Sequence, residues 1–186
     1  MTISAILLYT ARAIALALPA GLLFLAWRCL RLRRIGLPFS GRREAIHFLA
    51  VFYLAALIEI TVIRDWSRLP ALWALPRSVS TVQIVPLVKT FQLSRAGLWA
   101  VVYPVAGNLL WFFPLGLLAE IKKPGIGAGQ TALISLSLSL SIELLQWVLG
   151  TGISDIDDVI FNVCGALAGL YSLHLLRKPS FSDRNT

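Results

Sequence analysis

Charge is scarce in this sequence, and acid above all. Nine Asp and Glu face 17 Lys and Arg in 186 residues, and charged side chains make up only 14% of the total. Soluble domains carry about 25% charged and roughly 45–50% apolar residues. Here 58% are hydrophobic and mean hydropathy is +0.78, which excludes an ordinary soluble globular chain. Cysteine is nearly absent too. Cys29 and Cys164 support neither a disulfide framework nor a cysteine metal site, so free thiols near opposite membrane faces are expected. No internal repeat and no low-complexity tract is visible.

What is present is long apolar runs. A membrane span needs about 20 largely apolar residues, and the runs predict five spans at 3–27, 45–63, 98–119, 129–149 and 155–176. The expected fold class is all-α: a polytopic membrane protein, a five-helix transmembrane bundle forming a single membrane domain over residues 1–186. The first run resembles a signal peptide only superficially. Arg28, Arg31, Arg33 and Arg34 follow its apolar core, whereas signal peptides carry their positive charge ahead of it. An uncleaved anchor is the expectation.

The net charge of +8 resides mainly in arginine. In a soluble protein that would suggest nucleic acid; beside apolar runs it implies anionic headgroups and topology signalling, with no nucleic-acid partner. The first loop, Arg28 to Arg43, holds six arginines. Lys122-Lys123 and the tail with Arg177, Lys178 and Arg184 fall on the same side of a five-span chain. That predicts an inner or plasma membrane protein with its N-terminus outside and its C-terminus in the cytoplasm. The loop from Arg64 to Gly97 counts the other way, with Arg64, Arg68, Arg77, Lys89 and Arg95, but long loops weigh less in the rule. Within it, Thr81 to Phe91 is too short and broken to span, so an interfacial or re-entrant segment is expected between the second and third spans, near Trp66, Trp73 and Trp99.

Leu133 to Ser141 alternates apolar residues with serine, the period of a strand. An open strand cannot cross lipid, because its backbone would go unpaired. As a helix the segment aligns Ser135, Ser139, Glu143 and Gln146 on one stripe and leaves Ser137 and Ser141 to bond back to their own backbone. The fifth run opens with a second polar stripe: Asp155, Asp158 and Asn162, continued by Gly165 and Gly169. That glycine pair lets another helix approach closely. Ser154 with Asp157 fits a capping box, the structural reading of Asp157. At 1.5 Å per residue, Asn162 lies about 10 Å and Glu143 about 9 Å below the outer helix ends, and Asn108, just after Pro104, falls in the same layer. Polar side chains inside a bilayer need partners, so these depths mark a candidate site. His47, His174 and Glu59 are expected in packing rather than in chemistry.

Asn108 with Phe113-Pro114-Leu115-Gly116, then Glu143-Leu-Leu-Gln146, then Asp155-Ile-Asp157-Asp158 with Asn162 and Gly165, resemble the signature of the VanZ-like membrane family. Thr61 and Gln83-Ile-Val-Pro86-Leu upstream are similar as well, so the resemblance runs from about Val51 to Leu176. It departs at Gly150-Thr-Gly-Ile153, where many members carry an arginine, a role that would pass to Arg64, Arg68 or Lys89. The resemblance implies an integral protein of the bacterial envelope, from a family linked to resistance to teicoplanin.

Two functions follow. In the first, Asn108, Glu143, Gln146, Asp155, Asp158 and Asn162, with Arg64 and Arg68, bind a membrane lipid or amphiphile such as a polyprenyl- or lipid-linked phosphate, without chemistry. In the alternative, an enzyme acts on such a phosphate. Glu143, Asp155 and Asp158 would then hold Mg²⁺, or one of them would act as general base. No histidine or cysteine nucleophile lies at that level, which favours the first.

Overall fold

A computed structural model of the chain describes residues 3–63, 82–152 and 154–177. Arg64, Arg68, Arg77, Trp66 and Trp73 lie outside the described residues. Among those described, six helices account for most of the backbone: α1 Ile3–Arg34, α2 Gly41–Ile58, α3 Val88–Ser94, α4 Leu98–Lys122, α5 Ala128–Leu149 and α6 Ile156–Arg177. A π-helical turn, Glu59–Ile63, extends α2. Five of these segments are long and apolar enough to cross a membrane: Leu7–Arg34, Gly41–Ile63, Leu98–Lys122, Ala128–Leu149 and Ile156–Leu176. The expected polytopic all-helical fold is therefore observed, with α3 as the short helix between the second and third spans.

The chain divides into two compact units, Met1–Val82 with Ile142–Ser154, and Gln83–Ser141 with Asp155–Thr186. In the first, α1 packs on α2 through small residues. Ala13, Ala17 and Gly21 recur every fourth residue along α1 and are buried, the spacing that lets helices approach in lipid. A Cβ on Gly21 would come within 2.7 Å of the Phe48 ring. At the end of α1, Arg28 grips Glu44 of α2 with two parallel bonds, Nε to Oε2 and Nη2 to Oε1, each 2.8 Å. This planar fork is the strongest form of the pair, and Glu44 is only 1% exposed.

In the second unit α4 packs along α6 backbone to backbone. Gly116 of α4 lies against the main chain of Ala166 and Leu170, Gly165 of α6 against Leu109, and Gly169 against Phe113. The expected close approach at the Gly165–Gly169 pair is thus met by α4, which adds a glycine of its own. Phe112, Ala166 and Leu170 are buried around the contact.

The stripe on α5 is as expected: Ser135, Ser139, Glu143 and Gln146 are buried, together with Thr131, while Ser137 and Ser141 are exposed. Ser141 Oγ donates to the Ser137 carbonyl at 2.8 Å.

Candidate functional site

The polar end of α6 is organised by its own first residues. Asp155 caps the helix, its Oδ1 accepting the Asp157 N–H at 3.0 Å. The expected capping box of Ser154 and Asp157 is not formed. Ser154 Oγ donates instead to the Glu143 carbonyl at 3.0 Å, within the first unit. What decides between two good capping residues is a distant contact: Gln83 forms a parallel bridge with Asp155, and the Ile156 N–H donates to the Gln83 carbonyl at 3.0 Å.

Asp157, released from that role, holds α3. Its carboxylate accepts the N–H of Leu87, and Oδ2 accepts the Thr90 N–H at 3.2 Å and the Thr90 hydroxyl at 2.7 Å. Leu87 and Thr90 occupy the cap and third positions of α3, so a carboxylate 67 residues away supplies the cap that Leu87 lacks. Leu87 sits in the left-handed region with φ 64°, a conformation that costs a residue with a Cβ about 1–2 kcal/mol.

The clamp places the next residue, Lys89. Its Nζ lies 2.7 Å from Asp155 Oδ2, with the lysine side chain 37% exposed and the aspartate side chain 1%. Asp158 is engaged differently, its Oδ1 accepting from Asn108 Nδ2 at 2.6 Å. Lys89, Thr90, Pro104, Asp155, Asp158 and Phe161 share a crevice of about 10 Å³ with their neighbours. That is close to the minimum for one water, so a larger ligand would be seated over the cluster rather than enclosed by it. Deeper on α6, Asn162 Nδ2 donates to Ser139 Oγ at 2.8 Å and the Asn162 carbonyl accepts from Ser135 Oγ at 3.2 Å. Asn162 Oδ1 is buried without a hydrogen-bond partner, which is rare enough to mark the position.

Of the sequence-predicted residues, Asn108, Asp155, Asp158 and Asn162 fall in the second unit, and Glu143 and Gln146 in the first. There Gln146 Nε2 donates to the Thr61 carbonyl at 2.8 Å, at the end of the helical stretch where the last carbonyls lack partners within the helix. Thr61 closes back on Leu57 through its hydroxyl. Glu143 is 7% exposed. Among the described residues no group of three or more His, Cys, Asp or Glu side chains is arranged to hold a metal ion. Of the acids in the alternative reading, Asp155 faces Lys89 and Asp158 accepts from Asn108.

Sequence reasoning missed two acids. Glu120 is 2% exposed near the end of α4. It takes the Gly125 N–H on both oxygens at 3.1 Å, and its Oε2 lies 3.0 Å from His174 Nε2. Glu44 is the other. A lone acid after six arginines and an acid before the Pro124-Gly125 turn were the available signals.

Comparison with known proteins agrees with the resemblance. The model of the VanZ/LLP1 family matches residues 48–177. "Protein VanZ" of Enterococcus faecium is 38% identical over 63 residues, covering 34% of this chain and 39% of that protein. The matched segment thus spans well under half of that relative. No solved structure matches. With five helices of spanning length and a family match over most of its residues, the chain is a multi-pass membrane protein and belongs to the VanZ/LLP1 family.

Proposed function

We propose that this protein recognises an envelope lipid or related amphiphile, with Lys89 making the charge contact and the α6 acids positioning it, and that through this binding it affects susceptibility to teicoplanin-type drugs. The observation that carries the reading is the Lys89–Asp155 pair. A buried carboxylate fixes a lysine whose side chain stays more than a third exposed, and α3, which bears it, is itself held by Asp157. Unshielded aspartates would repel a phosphate, so a positioned cation is what makes this acidic helix end compatible with an anionic headgroup. Lys89 fills the part that an arginine at 150–153 would play in many relatives, with Arg64 and Arg68 as further candidates. Asn108 and Asp158 supply hydrogen bonds at the same helix end.

Lys89→Gln is expected to abolish protection in cells in which the parent protein confers it, whereas Lys89→Arg retains most. Glu143→Gln with Asp158→Asn, both conserving size, is expected to lose it too at unchanged membrane levels. Full protection by Lys89→Gln at normal abundance would sink the reading.

The site belongs to the outer side if the N-terminus is outside and the C-terminus cytoplasmic, the orientation set by the basic clusters at 28–43, 122–123 and 177–184. Thr2→Cys and Asn185→Cys in a background lacking Cys29 and Cys164 test this in intact cells. An impermeant maleimide should label the first and spare the second; external labelling of Asn185→Cys would reverse the assignment.

A further inference from the structure

The far end of α1 carries a second feature, unrelated to the acids of α6. Between Arg28 and Glu44 the sequence has six arginines and one acid. That acid is already occupied: Arg28 grips it with two bonds, and Arg43 Nε reaches it at 3.3 Å. No acid in the segment remains for Arg31, Arg33, Arg34 and Arg42, and all four are exposed. Beside them lies a cavity of about 400 Å³, lined by Cys29, Leu32, Arg33, Leu37 and Phe39. Ligand sites typically span about 300–1,000 Å³.

The local backbone builds the cavity. α1 ends on Gly36 at φ 69°, with the Leu37 N–H returning to the Leu32 carbonyl at 3.1 Å. This glycine-capped stop turns the chain back, so Leu37 and Phe39 come to line the same space as Cys29 and Leu32. Arg43 Nη2 donates to the Pro38 carbonyl at 3.3 Å and holds the return. Leu37 and Phe39 nevertheless remain 53% and 60% exposed. The wall is therefore largely apolar and open, with Arg33 as its charged member.

Its height along the span selects the occupant. Arg31 stacks over the Trp27 ring at 5.4 Å, and tryptophan beside arginine at a helix end is the pattern of the headgroup boundary. Arg33, six residues beyond Trp27, lies about 9 Å further along the helix axis, away from the apolar core of the span. An apolar wall beside a guanidinium at a span end fits an anionic phospholipid, acyl methylenes on the wall and phosphate on the arginine. We infer that the turn joining α1 and α2 is a built site for one such lipid, with Arg33 on its phosphate and Leu32, Leu37 and Phe39 against its first methylenes.

Cys29, in the wall, reports occupancy. The full chain with Cys164→Ser would be placed in nanodiscs of phosphatidylglycerol, of phosphatidylcholine, or of phosphatidylcholine with inorganic phosphate, and its maleimide reaction timed. Native mass spectrometry would count the lipids retained after detergent release. Phosphatidylglycerol is expected to slow Cys29 labelling several-fold against both other arms, and one phosphatidylglycerol is expected to remain bound. Arg33→Gln should remove both effects, while Arg95→Gln, distant in sequence, should keep them. Equal protection by free phosphate would reassign the site to a soluble anion and overturn the lipid inference. Should Cys29 react slowly in every arm, lipid retention alone decides. No preference for phosphatidylglycerol, or one that survives Arg33→Gln, overturns the inference.

Discussion

Gly116→Ala is expected to lower the melting midpoint sharply, although it adds a single methyl. The new Cβ would be driven onto the Ala166 carbonyl and to within 2.6 Å of the Leu170 nitrogen. Both are helix backbone, which cannot swing aside as a side chain would. Overpacking in interiors costs about 1–3 kcal/mol where side chains can adjust, and the upper end applies when two helices must part. In a chain of this size roughly 3 kcal/mol lowers the melting midpoint by about 6–12 °C. Gly165→Leu should be worse, because Leu109 already lies against that glycine. Gly107→Ala on the same helix is the control, since nothing stands within 4 Å of its Cβ position. It should match the parent or exceed it, helical glycine being about 0.5–1 kcal/mol worse than alanine. Thermal unfolding in detergent, followed by tryptophan fluorescence, measures all three. A Gly116→Ala protein that melts with the parent would mean that α4 and α6 do not cross at this point.

The second large effect is at Asp157. Asp157→Ala removes three hydrogen bonds to one ionised carboxylate, each worth about 1.5–3 kcal/mol when the acceptor is charged. Leu87, no longer held at positive φ, should relax, and α3 should detach with Lys89. Amide exchange at Leu87 and Thr90 should then rise on the order of 10²-fold, taking about 3 kcal/mol as the net loss after solvation of the freed groups. Protection against drug should fall with it. Asp158→Ala, whose partner is Asn108, should leave exchange at Leu87 near the parent value. Unchanged exchange in Asp157→Ala would show that something else holds the segment. From the sequence alone Asp157 reads as the capping partner of Ser154; its engagement with α3 gives it a different role.

The spans were legible because lipid makes hydropathy almost the only requirement for a helix of that length. The boundary that moved most shows the limit of the signal. α1 was expected to end near Trp27 and continues to Arg34. Apolar content measures how far a helix is immersed, while arginine is a good helix former and carries the backbone on until Gly36 stops it. Helical spacing put Ser135, Ser139, Glu143 and Gln146 on one stripe, and all four are buried, since an unpaired polar group inside a bilayer is penalised wherever it falls. Assigning partners was another matter. Ser154, Asp155 and Asp157 are all competent near a helix start, and only the Gln83 contact, over seventy residues away, separates their roles. The sequence offers Lys89 as a substitute cation, yet its pairing with Asp155 depends on that same long-range docking. Glu120 escaped because an acid near a span end reads as a solvated group; the Pro124-Gly125 turn is the local hint, and His174, 54 residues on, is beyond local reach.

The hydrogen bonds between α5 and α6 also bear on how the protein is made. A serine that enters lipid before its neighbour arrives can bond to its own helix, as Ser141 does with the Ser137 carbonyl and Thr131 with the Gly127 carbonyl at 3.3 Å. Hydroxyls of α5 can therefore be satisfied within their own helix while it waits in lipid for its neighbour. An asparagine has two donors and cannot satisfy both in this way. Asn162 meets Ser139 across the helix pair, and that serine comes from the span synthesised just before it. Biogenesis thus has a direction written into the chain: the hydroxyls enter first and tolerate delay, and the carboxamide arrives when its partner is already in place.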